Sequence, residues 1–265
     1  MGTSEQVVAE IWGVTGAAYD EISRGSSDAI QHCIDRLRPA RGERILDVAT
    51  ATGWAARRLA DRGARITGID FSPAIIEAAR KLSENGARKL EFQVADAEKL
   101  PFGEGEFDAV ISAFGVIYAA RPRTAAAEIA RVCRSGGRLA LTVWASNSVP
   151  AQVFELLQGY MRLAGAPPLR SPFEWGGIER ISELLEKDFE LGFELGTSHL
   201  HLPDGEAVWA LHVDSYGPIK WLAEHLDPET LSELEERFIE FHNQFRTGLG
   251  VRIPREYLVV LGTRR

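Results

Sequence analysis

Short apolar runs alternate with segments of helical period between residues 40 and 145 of the chain. Each run is almost continuously apolar, which is typical of strands in a sheet that helices cover on both faces. Regular alternation of such strands with helices is the pattern of βα units on a parallel sheet. We therefore predict five strands in this stretch, at residues 44–48, 65–70, 90–94, 108–113 and 138–144.

Helix start and stop signals occupy the gaps between these strands. Residues 54–62 have a helical pattern that Gly63 can end, because glycine readily adopts the left-handed conformation that follows a helix. Ser72 and Pro73 combine an N-cap residue with proline at the first helical position. A third helix is predicted at residues 124–134, ahead of a pair of glycines.

The segments on either side of this region have a different pattern. Residues 5–38 carry two helical patterns separated by a break at 24–26, and residues after 145 are mostly helical apart from a β-like stretch at 189–200. A last strand candidate covers residues 256–262. The predicted organisation is an N-terminal helical arm or lid at 1–39, a sheet core at 40–145, a cap or substrate region with one late strand at 146–250, and a final sheet strand at 251–265.

Composition and charge narrow the class of protein. The 265 residues are 45% apolar and 26% charged, which is typical of a globular protein with its own core. A net charge of −8 opposes general binding to phosphate backbones, so nucleic acid is not an expected partner. The two cysteines, Cys33 and Cys133, exclude a disulfide framework and a thiolate zinc cluster, as in a reducing compartment. Lacking a signal-peptide pattern and any apolar run of ~18 residues, the chain is expected to be cytoplasmic without a membrane span.

The most informative stretch is ILDVATATGWAARRLA at residues 45–60. An apolar strand ends near Asp47, a loop of small residues follows, and Gly53 precedes a helix. Ligands of open parallel sheets gather beyond the carboxyl ends of the strands. A loop without bulky side chains lets a bound molecule approach backbone N–H groups and the helix N-terminus. The stretch therefore predicts a ligand-binding βα turn.

Acidic residues after the next two strands suggest which ligand binds there. Asp70 follows Asp47 by 23 residues, close to the ~20-residue offset at which a carboxylate accepts hydrogen bonds from ribose hydroxyls. Phe71 can lie against a base, and Asp96 with Ala97 can reach its exocyclic amine. Each carboxylate alone could equally form a turn or a cap. Together, in register after three successive strands, they favour a nucleoside-containing ligand.

Four segments in order resemble motifs of the class I S-adenosylmethionine-dependent methyltransferases, in the small-molecule branch similar to the ubiquinone and menaquinone methyltransferases. The resemblance implies an α/β, Rossmann-like sheet of seven mostly parallel strands with helices on both faces and an antiparallel final strand. The N-terminal arm and the mostly helical cap insertion would flank that sheet. The matching segments are the methionine-binding loop DVATATG at 47–53, the ribose segment GIDFSP at 68–73, the adenine loop VADAEKLPFGEGEFDAVIS at 94–112, and RVCRSGGRLAL at 131–141, which leads into strand five.

The resemblance also implies a cofactor and a reaction. The cofactor would be S-adenosyl-L-methionine, with S-adenosyl-L-homocysteine as product, and the methyl group would pass by in-line displacement to an O, N or C atom of a small molecule. The implied cofactor-binding residues are Tyr19, Asp47, Ala49, Thr50, Gly53, Asp70, Phe71, Asp96, Ala97, Ala113 and Phe114. Candidates for the substrate pocket are Trp12, Tyr118, Trp144 and His199.

The loop departs from the family pattern at two glycine positions, which are Ala49 and Ala51 in this chain. Alanine at 49 is a familiar variant of this branch. A methyl group at Ala51 costs about 1 kcal/mol if the backbone needs positive φ there. We expect the loop still to bind the cofactor, since both replacements are small.

No catalytic residue or metal ligand is predicted, because in-line transfer can rest largely on proximity and orientation. If the acceptor needs a general base, histidine is the first residue type to inspect. His199 and His201 alternate along the late strand, whereas His212, His225 and His242 lie in the cap. Each of these most often serves packing or the surface. No third ligand at a recognisable spacing supports a metal site at the first pair.

Two other functions stay open from the sequence. A binding module that kept the fold and lost turnover is suggested by Ala51 and by the absence of an obvious base. A nicotinamide-dependent oxidoreductase would share the first strand, the loop and the acidic second strand, but the GxGxxG spacing is absent. A nucleic-acid methyltransferase is disfavoured because strand four ends in SAFG at 112–115. The methyltransferases that act on flipped bases have a different motif there, namely Asn or Asp followed by two prolines and an aromatic residue.

Overall fold

A computed structural model describes residues 4–84, 90–168 and 171–265. The described residues form one mixed sheet whose main path runs β3-β2-β1-β4-β5-β8-β6, with the short β7 paired to β8. The strands are β1 Arg44–Val48, β2 Arg65–Asp70, β3 Leu90–Val94, β4 Phe107–Ala113, β5 Cys133–Trp144, β6 Phe189–Leu202, β7 Arg246–Thr247 and β8 Gly250–Arg264.

Eleven α-helices flank this sheet in the described part of the chain, together with single turns of 3-10 helix at Gly16–Tyr19, Val116–Tyr118 and Pro172–Trp175. The helices are α1 Ser4–Gly13, α2 Asp20–Gly25, α3 Ser27–Leu37, α4 Trp54–Asp61, α5 Pro73–Ser83, α6 Pro122–Val132, α7 Val149–Leu163, α8 Ile178–Leu185, α9 Gly205–Ser215, α10 Gly217–His225 and α11 Pro228–Asn243.

The sheet confirms the predicted fold class. Strands β1 to β5 pair in parallel, and β8 runs antiparallel between β5 and β6. Seven strands were predicted, and the eighth is β7, a two-residue hairpin partner of β8. Gly250 starts β8 with φ of +113° and so permits the tight reversal between the two strands.

Some predicted boundaries are wrong by several residues. The third core helix begins at Pro122, not at 124, because proline suits the first helical turn, and it ends at Val132. As a result β5 starts at Cys133, five residues before the predicted strand. The predicted break at 24–26 does separate α2 from α3, and a further turn at Gly16–Tyr19 divides the arm again.

Alternate residues of each central strand pack against helices on opposite faces. Ile45 of β1 joins the cluster that α3, α4 and α5 form, whereas its neighbour Leu46 joins the cluster under α6 and α8. This double burial explains why these strands are apolar at nearly every position. A third cluster joins the arm residue Ile11 to the cap helices, among them α9 and α11. Arm and cap therefore meet over one edge of the sheet.

No helix among the described residues combines the length and the apolar character that crossing a membrane requires.

Candidate active site

A cavity of about 1470 Å³, including its open mouth, lies at the carboxyl edge of the sheet. The ends of β1, β2, β4 and β5 form its floor, and the arm and the cap form its walls. Most of the sequence-predicted site residues line it, namely Trp12, Tyr19, Asp47, Ala49, Thr50, Asp70, Phe71, Ala113, Phe114, Tyr118 and Trp144.

Four predicted residues do not line this cavity. Gly53 is the N-cap of α4, and Ala97 follows Asp96 in the half-exposed loop after β3. Asp96 is exposed, and its carboxylate accepts a hydrogen bond of 2.8 Å from the backbone N–H of Glu98. His199 lies on β6 next to Leu200, which does line the cavity, so the alternation of a strand directs the two side chains to opposite faces.

Asp47 is a buried carboxylate at the end of β1. The Thr50 hydroxyl donates a hydrogen bond of 2.6 Å to it. Burial raises the pKa of Asp47 to about 7, although that hydrogen bond acts in the opposite direction. No ion pair to Asp47 is found in the described part of the chain, so the site can accept a cationic group from a ligand.

Asp70 is a second buried carboxylate, at the end of the adjacent strand β2. It accepts hydrogen bonds of 3.1 Å from the backbone N–H groups of Ser72 and Ala51. Burial raises the pKa of Asp70 to about 6, and these donors act against that shift. Asp70 therefore fixes the loop after β1 while facing the cavity.

The loop between β1 and α4 is held in an unusual backbone conformation. Ala49 has φ of +53° and Ala51 has φ of +49°, both in the left-handed region that favours glycine. The structure thus places methyl groups at two positions that need positive φ. The arm is bonded to this region through Asp20. Its carboxylate accepts hydrogen bonds of 2.7 Å from the Thr52 hydroxyl of the loop and 2.6 Å from the Arg57 guanidinium of α4.

Replacing Ala51 with glycine is expected to stabilise the protein by up to about 1 kcal/mol, because glycine adopts the left-handed conformation without strain. Chemical denaturation of the ligand-free protein measures this change. Ala127→Gly is the matched control, since Ala127 is exposed within α6 and its replacement should cost about 1 kcal/mol. Equal destabilisation by both substitutions would contradict the strain at Ala51.

An aromatic cluster joins the arm to the cavity wall. The Trp12 ring centroid lies 4.4 Å from that of Tyr118, 5.9 Å from Tyr216 and 6.4 Å from Tyr19. Burial raises the pKa of Tyr216 to about 12 and holds those of Tyr19 and Tyr118 above their ordinary range. These phenols therefore stay protonated and can donate hydrogen bonds into the cavity.

Aromatic rings also cover the ends of β4 and β5. Phe114 and Trp144 stack with centroids 3.8 Å apart and planes at 16°. Phe114 has φ of +60°, a strained conformation for a bulky residue that is typical of functional sites. The guanidinium carbon of Arg255 lies 5.9 Å from the Trp144 ring centroid.

The cap contributes two histidines that were not among the predicted site residues. His212 and His242 line the cavity, with ring centroids 6.2 Å apart. Each ring pairs its Nδ1 at 2.8 Å with the carbonyl four residues earlier, which leaves Nε2 as the hydrogen-bond acceptor of a neutral ring. Burial lowers the pKa of each to about 4. The two histidines come from α9 and α11, and their spacing in the sequence does not predict that they lie close together.

Within residues 4–84, 90–168 and 171–265, no group of three or more His, Cys, Asp or Glu side chains is arranged to hold a metal ion.

Known proteins that are similar to this chain include several methyltransferases. A family model described as a methyltransferase domain matches residues 46–141. The O-methyltransferase cnsE of Penicillium expansum is 35% identical over 189 residues, which cover 63% of this chain and 68% of the fungal protein. The chain belongs to the class I S-adenosylmethionine-dependent methyltransferases. The resemblance seen in the sequence is thereby confirmed.

Other relatives of this chain match it over parts of its length. The demethylmenaquinone methyltransferase of Clavibacter sepedonicus is 34% identical over 54% of this chain and 60% of that enzyme. The chain spans about half the length of the first curated relatives it matches, uncharacterized proteins of Mycobacterium bovis and Mycobacterium tuberculosis, at 35% identity over 54% of this chain and 52% of theirs. The crystal structure of the YcgJ protein from Bacillus subtilis has the same fold, with a TM-score of 0.63, 16% identity, and coverage of 90% of this chain and 99% of that one.

S-adenosylmethionine is the cofactor of this methyltransferase family. The cavity floor fits it, because Asp47 and Asp70 are two buried carboxylates whose ionised form a cationic ligand would favour. The turn after β4 packs directly on the loop after β1, since a Cβ at position 115 would lie only 2.5 Å from Ala49. The residues present thus suit a cofactor that carries an ammonium group and ribose hydroxyls.

The affinity for S-adenosylhomocysteine is expected to fall as the solution becomes more acidic. We expect both carboxylates to bind the ligand in their ionised form, so affinity should drop up to about tenfold per pH unit below the pKa of Asp47 near 7, and more steeply below that of Asp70 near 6. Titration calorimetry between pH 5 and 8.5 measures the profile. A dissociation constant that stays flat across this window would contradict ionisation-dependent binding, provided the protein remains folded by circular dichroism.

Proposed function

We propose that the protein transfers a methyl group from S-adenosylmethionine to an O, N or C atom of a small, largely apolar molecule bound beneath the cap. The observation that carries this proposal is one continuous cavity. It runs from the carboxylates of Asp47 and Asp70, at the ends of β1 and β2, to the apolar wall of the cap. A cofactor and an acceptor bound in the same cavity can be held in line for direct displacement.

The cofactor end of the cavity supports this assignment residue by residue. When bound, the cofactor supplies an electrophilic methyl group on a sulfonium centre. Asp47 would hold the ammonium group, Asp70 the ribose hydroxyls, and Phe71, which is 36% exposed beside Asp70, one face of the base. The other cavity-lining members of the predicted set would pack around these groups, namely Tyr19, Ala49, Thr50, Ala113 and Phe114.

The acceptor end of the cavity is mostly apolar. Side chains from the cap and the late strands form its walls, including Val149, Val153, Phe154, Phe173, Leu200 and Ile253. The neutral ring of His212 can accept a proton or a hydrogen bond from an acceptor hydroxyl at its Nε2. Trp12 and Tyr19 of the arm, which we propose acts as a lid, would close the cavity and exclude water from the displacement.

Two measurements in sequence test this function. Titration of the protein with S-adenosylmethionine and S-adenosylhomocysteine should show micromolar or tighter binding, and absence of binding at millimolar ligand would overturn the proposal. A screen of phenolic, quinone and amine acceptors should then show formation of S-adenosylhomocysteine with at least one class. Binding without turnover across all three classes would instead favour a catalytically silent binding module.

A further inference from the structure

Arg255 is a cation inside the cavity that the proposed transfer of the methyl group does not use. It lies on β8 and is the one lysine or arginine among the cavity-lining residues in the described part of the chain. Its Nη2 donates hydrogen bonds to the carbonyl of Gly25 in the arm and, at 3.0 Å, to the hydroxyl of Ser198 on β6. The guanidinium is therefore held at a fixed place between the arm and the sheet.

The other two nitrogens of this guanidinium have no hydrogen-bond acceptor among the described residues. Its Nε is shielded from solvent and has no partner within the described residues, and its Nη1 has none there either. Guanidinium groups carry five N–H donors, and buried donors are nearly always satisfied in folded proteins. Arg255 thus retains donor capacity in a cavity that it lines.

Among the residues that the structure describes, no carboxylate bonds directly to the positively charged side chain of Arg255. The carboxylate connected to it is that of Asp28, which is reached through the Ser198 hydroxyl at 2.7 Å. Burial lowers the pKa of Arg255 to about 10, and the charge of Asp28 opposes this shift. The side chain is still a cation at neutral pH. A buried cation without a direct counter-ion is unfavourable, so an anionic ligand would be stabilised here.

The neighbouring groups place this cation at the acceptor end of the cavity. Trp144 lies beside the Arg255 guanidinium. Burial is the main cause of the low pKa of His212 in the cap, and the positive charge of Arg255 lowers that pKa further. At the other end, burial and local hydrogen bonds determine the pKa of Asp70, and the charge of Asp70 adds to the same two causes at Asp47. His212 and His242 are neutral acceptors, so Arg255 is the group that suits an anion there.

We infer that the methyl acceptor is a small aromatic or unsaturated acid whose carboxylate is bound by Arg255. This inference rests on the proposed methyl transfer and specifies its substrate class. The carboxylate would take the unused N–H donors of the guanidinium as charge-assisted hydrogen bonds, the stronger class of such bonds. The apolar body of the acid would then lie against the Phe114 and Trp144 rings.

Matched pairs of acids and amides test this inference. Benzoate, 4-hydroxybenzoate and cinnamate are titrated against their carboxamides by calorimetry, with S-adenosylhomocysteine kept saturating. We expect at least one acid to bind about tenfold or more tightly than its amide in the wild-type protein. Arg255→Gln should abolish that preference and Arg255→Lys should reduce it. Arg252→Gln, which removes an exposed arginine from the same strand, should leave it unchanged.

Each contrary result has a distinct meaning. Equal binding of every acid and its amide by the wild-type protein overturns the inference, whether or not the Arg255 variants fold. So does an acid preference that survives in folded Arg255→Gln. Loss of S-adenosylhomocysteine affinity in Arg255→Gln, with acid binding unchanged, would assign the residue to the cofactor carboxylate and overturn it as well. Failure of the wild-type protein to bind S-adenosylhomocysteine would instead reject the proposed function.

Discussion

Replacing Asp70 with alanine is expected to weaken S-adenosylhomocysteine binding at least about 100-fold, or about 2.7 kcal/mol. The carboxylate is buried at the end of β2 and faces the cavity, and a hydrogen bond to a charged group contributes about 1.5–3 kcal/mol. Its loss also removes the acceptor that holds the Ala51 N–H at 3.1 Å, so the loop after β1 loses a tether. Calorimetric titration at pH 8 measures the change.

Two further variants make the Asp70 result specific. Asp70→Asn keeps an acceptor for the loop but removes the charge, so we expect an intermediate loss of about tenfold. Asp214→Ala removes an exposed carboxylate from α9 and should leave the affinity unchanged. A dissociation constant for Asp70→Ala within threefold of the wild-type value would rule out the assigned contact.

The Asp70 variants should fold in the absence of ligand. Burial raises the pKa of Asp70 above the value of an unfolded chain, so the folded protein binds the proton more tightly than the unfolded one. The stability that this group contributes is present at low pH and is lost as the pH rises through about 6. At pH 8 that contribution is absent from the wild-type protein too, so circular dichroism of the variants at pH 8 separates a loss of binding from a loss of structure.

Replacing Gly115 with alanine is expected to destabilise the protein by about 2–3 kcal/mol and to weaken cofactor binding at least about tenfold. The new Cβ would lie 2.5 Å from both the Cβ and the carbonyl oxygen of Ala49, closer than real contacts allow. Relaxation is opposed because the Ser112 hydroxyl ties this turn to β1, donating to the Val48 carbonyl at 2.6 Å. Denaturation and titration of the same preparation measure both effects.

Gly159→Ala is the matched control for this substitution. Position 159 lies within α7 with no atom near enough to meet a new Cβ, so alanine there should stabilise the helix by up to about 1 kcal/mol. Opposite signs for the two glycine substitutions would establish that close approach of the two turns, not glycine content, matters at position 115. An unchanged midpoint for Gly115→Ala would show that the turns can separate freely.

Strand bounds could be predicted from the sequence where both faces of a strand are buried. Strands β1, β2 and β3 have the predicted bounds, since apolar runs flanked by polar residues leave little freedom in their placement. The ends of β5 and β8 could not be predicted in this way. Cys133 extends β5 through an irregular stretch in which Gly136 has φ of +69°, and β8 continues back to Gly250 because β6 pairs with it along its length.

The residues of the candidate site also fall into a predictable and an unpredictable group. Asp47 and Asp70 could be placed from sequence because each follows a recognisable strand, and parallel strands end at one edge. Arg255, His212 and His242 could not, because they meet only through the packing of β8, α9 and α11. Tyr216 joined the arm cluster for the same reason. Local pattern identifies the groups that follow a strand, whereas groups brought together by distant packing leave no local pattern.

The pairing of β5 with β8 has a consequence for the cap. Trp144, the last residue of β5, is the register partner of Tyr257 on β8. The intervening residues therefore begin and end at adjacent points on the sheet. The helices that connect these strands can therefore differ in length while strands β1 to β5 keep their register. The cap wall of the cavity can thus vary while Asp47 and Asp70 stay at the ends of β1 and β2.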